Sequence, residues 1–365
     1  LLTFDKLEVL IHDLIVIEAW KENIYPRLVD RLAGRNNMRT YFILYHEATV
    51  VNLLEVFLYH KHVCEAVGEH MIEVVDYCAR KLTRLNGGYD FRSIEPVSTA
   101  GKEKKTPAQE AEERISRPPK EELAQHMTEI EFRVCIAAVS IARFVVECGE
   151  VLPLSVVSRI TDTHDMLVLI VPLIENPPWT RRLPDTGKWE KLIDQKWTQV
   201  PPIDLLKVTK LEGQPWIALY HLLAKETFRE RYHLNSFRKA QALRCRKYIN
   251  DLLLDQLPFL ADVQRYMDEL SIMEVPEPSG GGAGGAFMFQ QVAVAREKII
   301  KKRDWALSAD RQWDEVFTMT DRDDKDLRRL ADFYADEAVS DVIDPMKDLG
   351  GAGGGAGGVA ASAWE

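Results

Sequence analysis

The sequence predicts an all-α protein, an armadillo- or HEAT-like helical stack (an α-solenoid) that carries a C-terminal helical appendage. Three observations lead there. Apolar residues recur at helical spacing along most of the chain, period-two alternation is scarce, and the apolar stripes are short and separated by legible turns. Helices of one to two dozen residues cannot each build a core, so each must bury its stripe on its neighbours. No strict repeat period is visible, so the expected stack is a degenerate one.

The elements follow in order. Stripes run through Leu7–Leu28, Phe42–Tyr59 and Met71–Leu85. Asn86-Gly87-Gly88 ends the third, since glycine takes the left-handed C-cap conformation without a Cβ clash. The polar residues 87–120, with Gly101-Lys102-Glu103-Lys104-Lys105 and Pro118-Pro119, hold too little apolar surface to offset ordering entropy and are expected to be a disordered insertion. From Met127, apolar residues at Ile130, Val134, Ala137, Ala138, Ile141, Phe144 and Val145 mark one helix face. Pro177-Pro178-Trp179 closes the next helix, and Trp189–Ile193 and Trp197–Val200 are the best strand candidates, with no sheet expected beyond one short hairpin there. Pro201-Pro202 precedes further helical stripes at Pro215–Leu223 and Phe237–Leu254. The expected organisation is a body over 1–273, a Gly/Pro linker over 274–289, a C-terminal helical segment over 290–348 and a Gly/Ala-rich tail over 349–365.

Composition narrows the function. A net charge of −10 without a cationic stripe argues against nucleic acid, whose phosphates need a basic face. The longest apolar run, Leu167–Ile174, contains Pro172 and is far too short to span a bilayer, so no membrane is expected. Cys64, Cys78, Cys135, Cys148 and Cys245 are odd in number and form no CxxC pair, which suits free thiols in a reducing, cytoplasmic setting.

Catalytic and metal motifs are missing. His60 and Cys64 share a helical face but His62 points away from it, so the three cannot chelate zinc together. His46-Glu47 lacks the second histidine of a zincin, since Val50 stands in its place. The glycine tracts Gly280–Gly285 and Gly350–Gly358 lack the residues of a phosphate cradle, and Asp321–Asp326 lacks the central glycine and terminal Glu of a calcium loop. No enzyme, no metal site and no cofactor is expected from these residues. Trp20, Trp216, Trp305 and Trp313 lie in helical stripes and are expected in the core. Trp179, Trp189 and Trp197 lie instead in a Pro-rich stretch with Arg181 and Arg182. Two readings of these five stand side by side: plugs beneath an irregular loop, or aromatic and arginine anchors for a partner.

Several strings resemble one known family. They are His12–Lys21 with Tyr25-Pro26, Tyr45–Glu55, Val75–Cys78 with Arg80–Thr83, Pro178–Arg182, Leu211–Tyr220 and Leu253–Pro258, all in one order. In these the chain, over about Leu7 to Leu270, is similar to the zinc finger MYND domain-containing family that acts in preassembly of axonemal dyneins. The resemblance implies a cytoplasmic assembly factor or co-chaperone adaptor, reaching to centriolar satellites or the apical cytoplasm of ciliated cells. It implies as partners a leucine-rich-repeat assembly factor, an immunophilin and the ninety-kilodalton heat-shock chaperone, with axonemal dynein chains as clients. The family's C-terminal MYND zinc finger is expected after Asp344, yet no cysteine follows Cys245, so zinc is carried onto no residue here. A lysine methyltransferase, the other setting of MYND fingers, would need a strand-rich SET domain that this chain lacks. A generic helical-repeat scaffold or trafficking adaptor is the remaining alternative.

Overall fold

The structure is a computed structural model that describes residues 6–33, 38–87, 118–184, 186–274, 293–301 and 303–317. Most of the expected insertion and linker, the Asp321–Asp326 run, the rest of the C-terminal segment and the Gly/Ala tail lie outside the described residues.

The architecture is a stack of helices with one small sheet. The first stripe, expected as a single helix over Leu7–Leu28, is divided into α1 (Lys6–Asn23) and α2 (Tyr25–Ala33). Pro26 is the reason: it has no N–H to continue the ladder and is tolerated only in the first turn of a new helix. Then follow α3 (Met38–Leu58), α4 (Lys61–Val67) and α5 (Met71–Asn86).

The centre of the stack is α6 (Pro119–Glu147), whose 29 residues reach about 44 Å at 1.5 Å per residue. Pro119 starts it where a missing N–H costs nothing, and Glu121 and Glu122 face its positive end. It packs against α3, α5 and, further along the chain, α9 (Lys210–Leu223). Because three helices surround it, burial spreads beyond the Ile130–Val145 stripe to Phe132, Val139 and Ala142.

After α7 (Leu154–Ser158) comes one π-helical turn, Arg159–Thr163, and then α8 (Met166–Glu175). The stack ends in α9, α10 (Glu226–Arg229), α11 (Ser236–Arg244), α12 (Asp251–Gln256) and α13 (Leu260–Ile272). Thr209 starts α9 with a capping box: its hydroxyl accepts from the Glu212 N–H at 3.2 Å, and Glu212 Oε2 accepts from the Thr209 N–H at 2.8 Å.

Two helices of the C-terminal segment, α14 (Val294–Lys301) and α15 (Trp305–Gln312), return to the start of the chain. α14 packs on α1 and α15 on α2. The docking joins a small apolar patch, with Ile299 and Ala309 buried in the core, to a set of polar contacts. Glu73 of α5 accepts from the Ala295 N–H at 2.8 Å, placing a carboxylate at the positive end of α14. Arg296 pairs with Glu22 at 2.6 Å, Arg31 with Asp310 at 2.9 Å, and the Trp20 indole N–H donates to Gln312 at 2.5 Å. Trp20 and Trp216 are buried as expected, whereas Trp305 and Trp313 are only half buried against the core, because this small appendage has one side open. Among the described residues no helix is long and apolar enough to cross a membrane.

Candidate partner-binding site

The five residues singled out in the sequence sit on and beside a three-stranded antiparallel sheet, β1 (Thr180–Arg182), β2 (Trp189–Ile193) and β3 (Lys196–Val200), in the order β1-β2-β3. The hairpin between β2 and β3 is the expected one; β1, three residues long, is too short to leave a sequence signal. Its two-residue turn is Asp194-Gln195, both at positive φ (47° and 64°), as a hairpin of right-handed twist demands.

Alternation across the sheet divides the five. The register pairs Arg181 with Glu190 and Leu192 with Trp197, so these four share one face. That face packs on α6: Trp197 stacks on Phe132, rings parallel within 2° and 6.1 Å apart. The Arg181 guanidinium lies 4.1 Å from the centre of the Trp197 ring and pairs with Glu190 at 2.8 Å. Both charges are buried. Trp179, just before β1, is also buried. These three residues hold the sheet to the stack. Arg182 and Trp189 occupy the other face and are exposed, the guanidinium 5.9 Å from the indole and donating to the Gly187 carbonyl at 3.0 Å. Of the five, only this pair offers free surface. The sequence placed all five in one patch because adjacent arginines look alike until the strand register is known.

The same sheet builds a cavity that the sequence did not reveal. Lys191, on the face of Arg182, is buried, and its ammonium reaches Glu212 at 2.9 Å and the Lys207 carbonyl at 2.8 Å. Gln256 of α12 holds the same loop from the other side, accepting from the Val208 N–H at 2.8 Å and donating to the Leu206 carbonyl at 3.0 Å. Between loop, sheet, α8 and α9 lies an open cavity of about 160 Å³ whose walls include Leu173, Pro177, Trp179, Trp216 and Leu253.

The densest cluster of ionisable groups lies elsewhere, sealed among α1, α3, α5 and α6. Lys21 pairs with Glu47 at 2.5 Å and Glu131 at 3.1 Å, and Lys81 pairs with the same two carboxylates at 2.8 and 2.9 Å. Tyr77 donates to Glu47 at 2.7 Å. Burial works to raise the Glu47 carboxyl, but Lys81 and Lys21 outweigh it and hold it at about 2. Burial works to lower the Lys81 ammonium, and Glu47 and Glu131 raise it instead. This is the constellation most like a catalytic one, yet all four charged side chains are at most 7% exposed, so no substrate reaches them. A signal was present in the sequence: Glu47, Lys81 and Glu131 each stand inside an apolar stripe, where a charge must be paired.

His46 meets Asp13 at 2.8 Å on the surface. The rings of His60 and His62 lie 5.5 Å apart instead of pointing away from each other, because His60 is extended and stands just before α4 rather than within it. Cys64 is buried and donates to the Leu58 carbonyl at 3.2 Å. All five cysteines are free and buried. Among the described residues no three His, Cys, Asp or Glu side chains are placed to hold a metal ion.

Over 361 residues the chain is 28% identical to the zinc finger MYND domain-containing protein 10 homolog of Drosophila melanogaster, a match spanning 96% of this chain and 74% of that relative. No family model matches the sequence, and no solved structure does.

Proposed function

We propose that the chain belongs to the family of zinc finger MYND domain-containing protein 10 and is a cytoplasmic assembly factor for axonemal dynein arms, acting by binding proteins rather than by catalysis. The observation that carries the reading is the length of the likeness, which runs through nearly the whole helical stack. Two features of the fold support it. A stack of helices offers extended surfaces to peptides and helices, and the cluster most like a catalytic one among the described residues is closed to substrate. The proposed clients are dynein chains; the proposed co-workers are a leucine-rich-repeat assembly factor, an immunophilin and the ninety-kilodalton heat-shock chaperone. Zinc is proposed for none of the residues in this sequence, which has no cysteine after Cys245.

The test is removal of the protein from a ciliated cell. Cilia should form but beat poorly, dynein arms should be missing, and heavy chains should be unstable in the cell body, where the protein itself should remain. Normal arms in its absence, or the protein as a stable component of the axoneme, would replace this reading with that of a general helical-repeat adaptor.

A further inference from the structure

We infer that the cavity between the sheet and α9 is a docking site for an extended segment of a partner protein, one that inserts a single large apolar side chain and carries acidic residues on one side of it. The inference stands on the cavity and not on the dynein reading, which can fail without it.

The size sets the anchor. About 160 Å³ is close to the volume of an engineered protein cavity that takes up benzene, so the space suits one Phe or Leu side chain and no more. The mouth is apolar and solvent-facing: Leu206 is 63% exposed, Leu252 46%, and Ile203 beside them 85%. Such a group of exposed aliphatic residues around a cavity marks a surface built for contact. The mouth is also fixed beforehand, since Lys191 and Gln256 hold the loop through Leu206, Lys207 and Val208, so little ordering opposes binding.

Charge chooses the partner and sets its direction. From Arg231 to Asn250 there is no acidic residue and there are six lysines and arginines, in a chain of net charge −10. Their carboxylate partners are three, Asp165, Glu175 and Asp268, so positive charge remains in surplus. This run leads directly into Tyr248 and Asn250 of the cavity wall. On the α12 side the exposed Asp251 and Asp255 repel acidic residues. The acidic residues of the partner therefore lie toward Lys247.

The experiment screens the full chain against phage-displayed random twelve-residue peptides and measures the best binder by fluorescence anisotropy. Enrichment of one large apolar residue with Asp or Glu on one side is expected. Leu206→Glu with Leu252→Glu should weaken that peptide at least tenfold without changing the melting temperature, because both residues are exposed. Lys247→Glu should weaken it and flatten its salt dependence. No enrichment, enrichment of basic peptides, or full binding to the doubly substituted chain would overturn the inference. So would a photocrosslinker at position 206 that captures this chain's own residues, since the occupant would then be internal.

Discussion

Replacing Lys81 by methionine removes one corner of the buried square formed by Lys21, Glu47, Lys81 and Glu131. The native square is neutral, with each ammonium touching both carboxylates within 3.1 Å. Lys81→Met leaves two carboxylates facing one ammonium in a site at most 7% exposed, and the half-exposed Arg84, 3.5 Å from Glu131, compensates the second charge only in part. Breaking a buried pair in this way costs about 3–5 kcal/mol. The pH dependence should change sign as well. In the native protein Glu47 is held at about 2 against an ordinary 4.5. Its contribution, about 3 kcal/mol from that shift, is present above the ordinary value and lost as pH falls toward 2. In the variant, one carboxyl is raised instead, so stability should fall as pH rises above about 4.5. Urea unfolding at about pH 7 and about pH 5 measures both effects. Adding Glu131→Gln restores one ammonium to one carboxylate and should recover at least half of the loss. A cost below about 1 kcal/mol, or a double variant as weak as the two single losses added together, would refute the reasoning.

Three more outcomes are expected. At Gly149 a Cβ would stand 2.3 Å from Phe228 Cε2, so Gly149→Ala should destabilise by about 1–3 kcal/mol, read as a lowered melting temperature. Trp216→Ala should cost about 3–5 kcal/mol in denaturant unfolding, whereas Trp189→Ala, on the open face of the sheet, should stay within about 0.5 kcal/mol. Burial works to raise the Asp76 carboxyl, but Arg159 and His164, at 2.7 and 2.5 Å, hold it at about 2 against an ordinary 3.8. Asp76→Asn should therefore cost about 2 kcal/mol at neutral pH. It should also remove part of the native protein's loss of stability between about pH 4 and pH 2, seen in acid titration of the folded fraction.

The helical stack was legible because burial repeats every three to four residues in sequence, which needs no knowledge of partners. The hairpin was legible from two short strand-like stretches, Trp189–Ile193 and Trp197–Val200, lying close together in the sequence. What escaped was set by contacts distant in sequence. Pro26 divides α1 from α2 inside one unbroken apolar stripe, and a stripe by itself cannot show whether the axis bends. Strand register separates Arg181 from Arg182, and β1 exists only because β2 lies beside it. The four-charge square joins positions 21, 47, 81 and 131; the apolar stripes around Glu47, Lys81 and Glu131 show that each needs a partner, but not which one. Glu212 has two roles, capping α9 and holding Lys191; only the first, Thr209 followed three residues later by Glu212, is a pattern a sequence can show.

The return of α14 and α15 to α1 and α2 has a consequence for how tightly that contact is held. Its docking rests on a few polar contacts and a small apolar patch around Ile299 and Ala309, which between separate molecules would give weak association. Residues 275–292 tie it to the end of α13, and a short tether supplies an effective concentration of the order of millimolar. An isolated peptide of residues 293–317 with only millimolar affinity would thus still correspond to a contact about half occupied in the intact chain. Occupancy of the α1 surface is then tuned by tether length as much as by the contact itself. Doubling the tether costs only about 0.6 kcal/mol, but cutting it leaves the contact to bulk concentration alone. A single proteolytic cut between α13 and α14 would release the pair and open Trp20 to solvent, with no change in any residue of the stack.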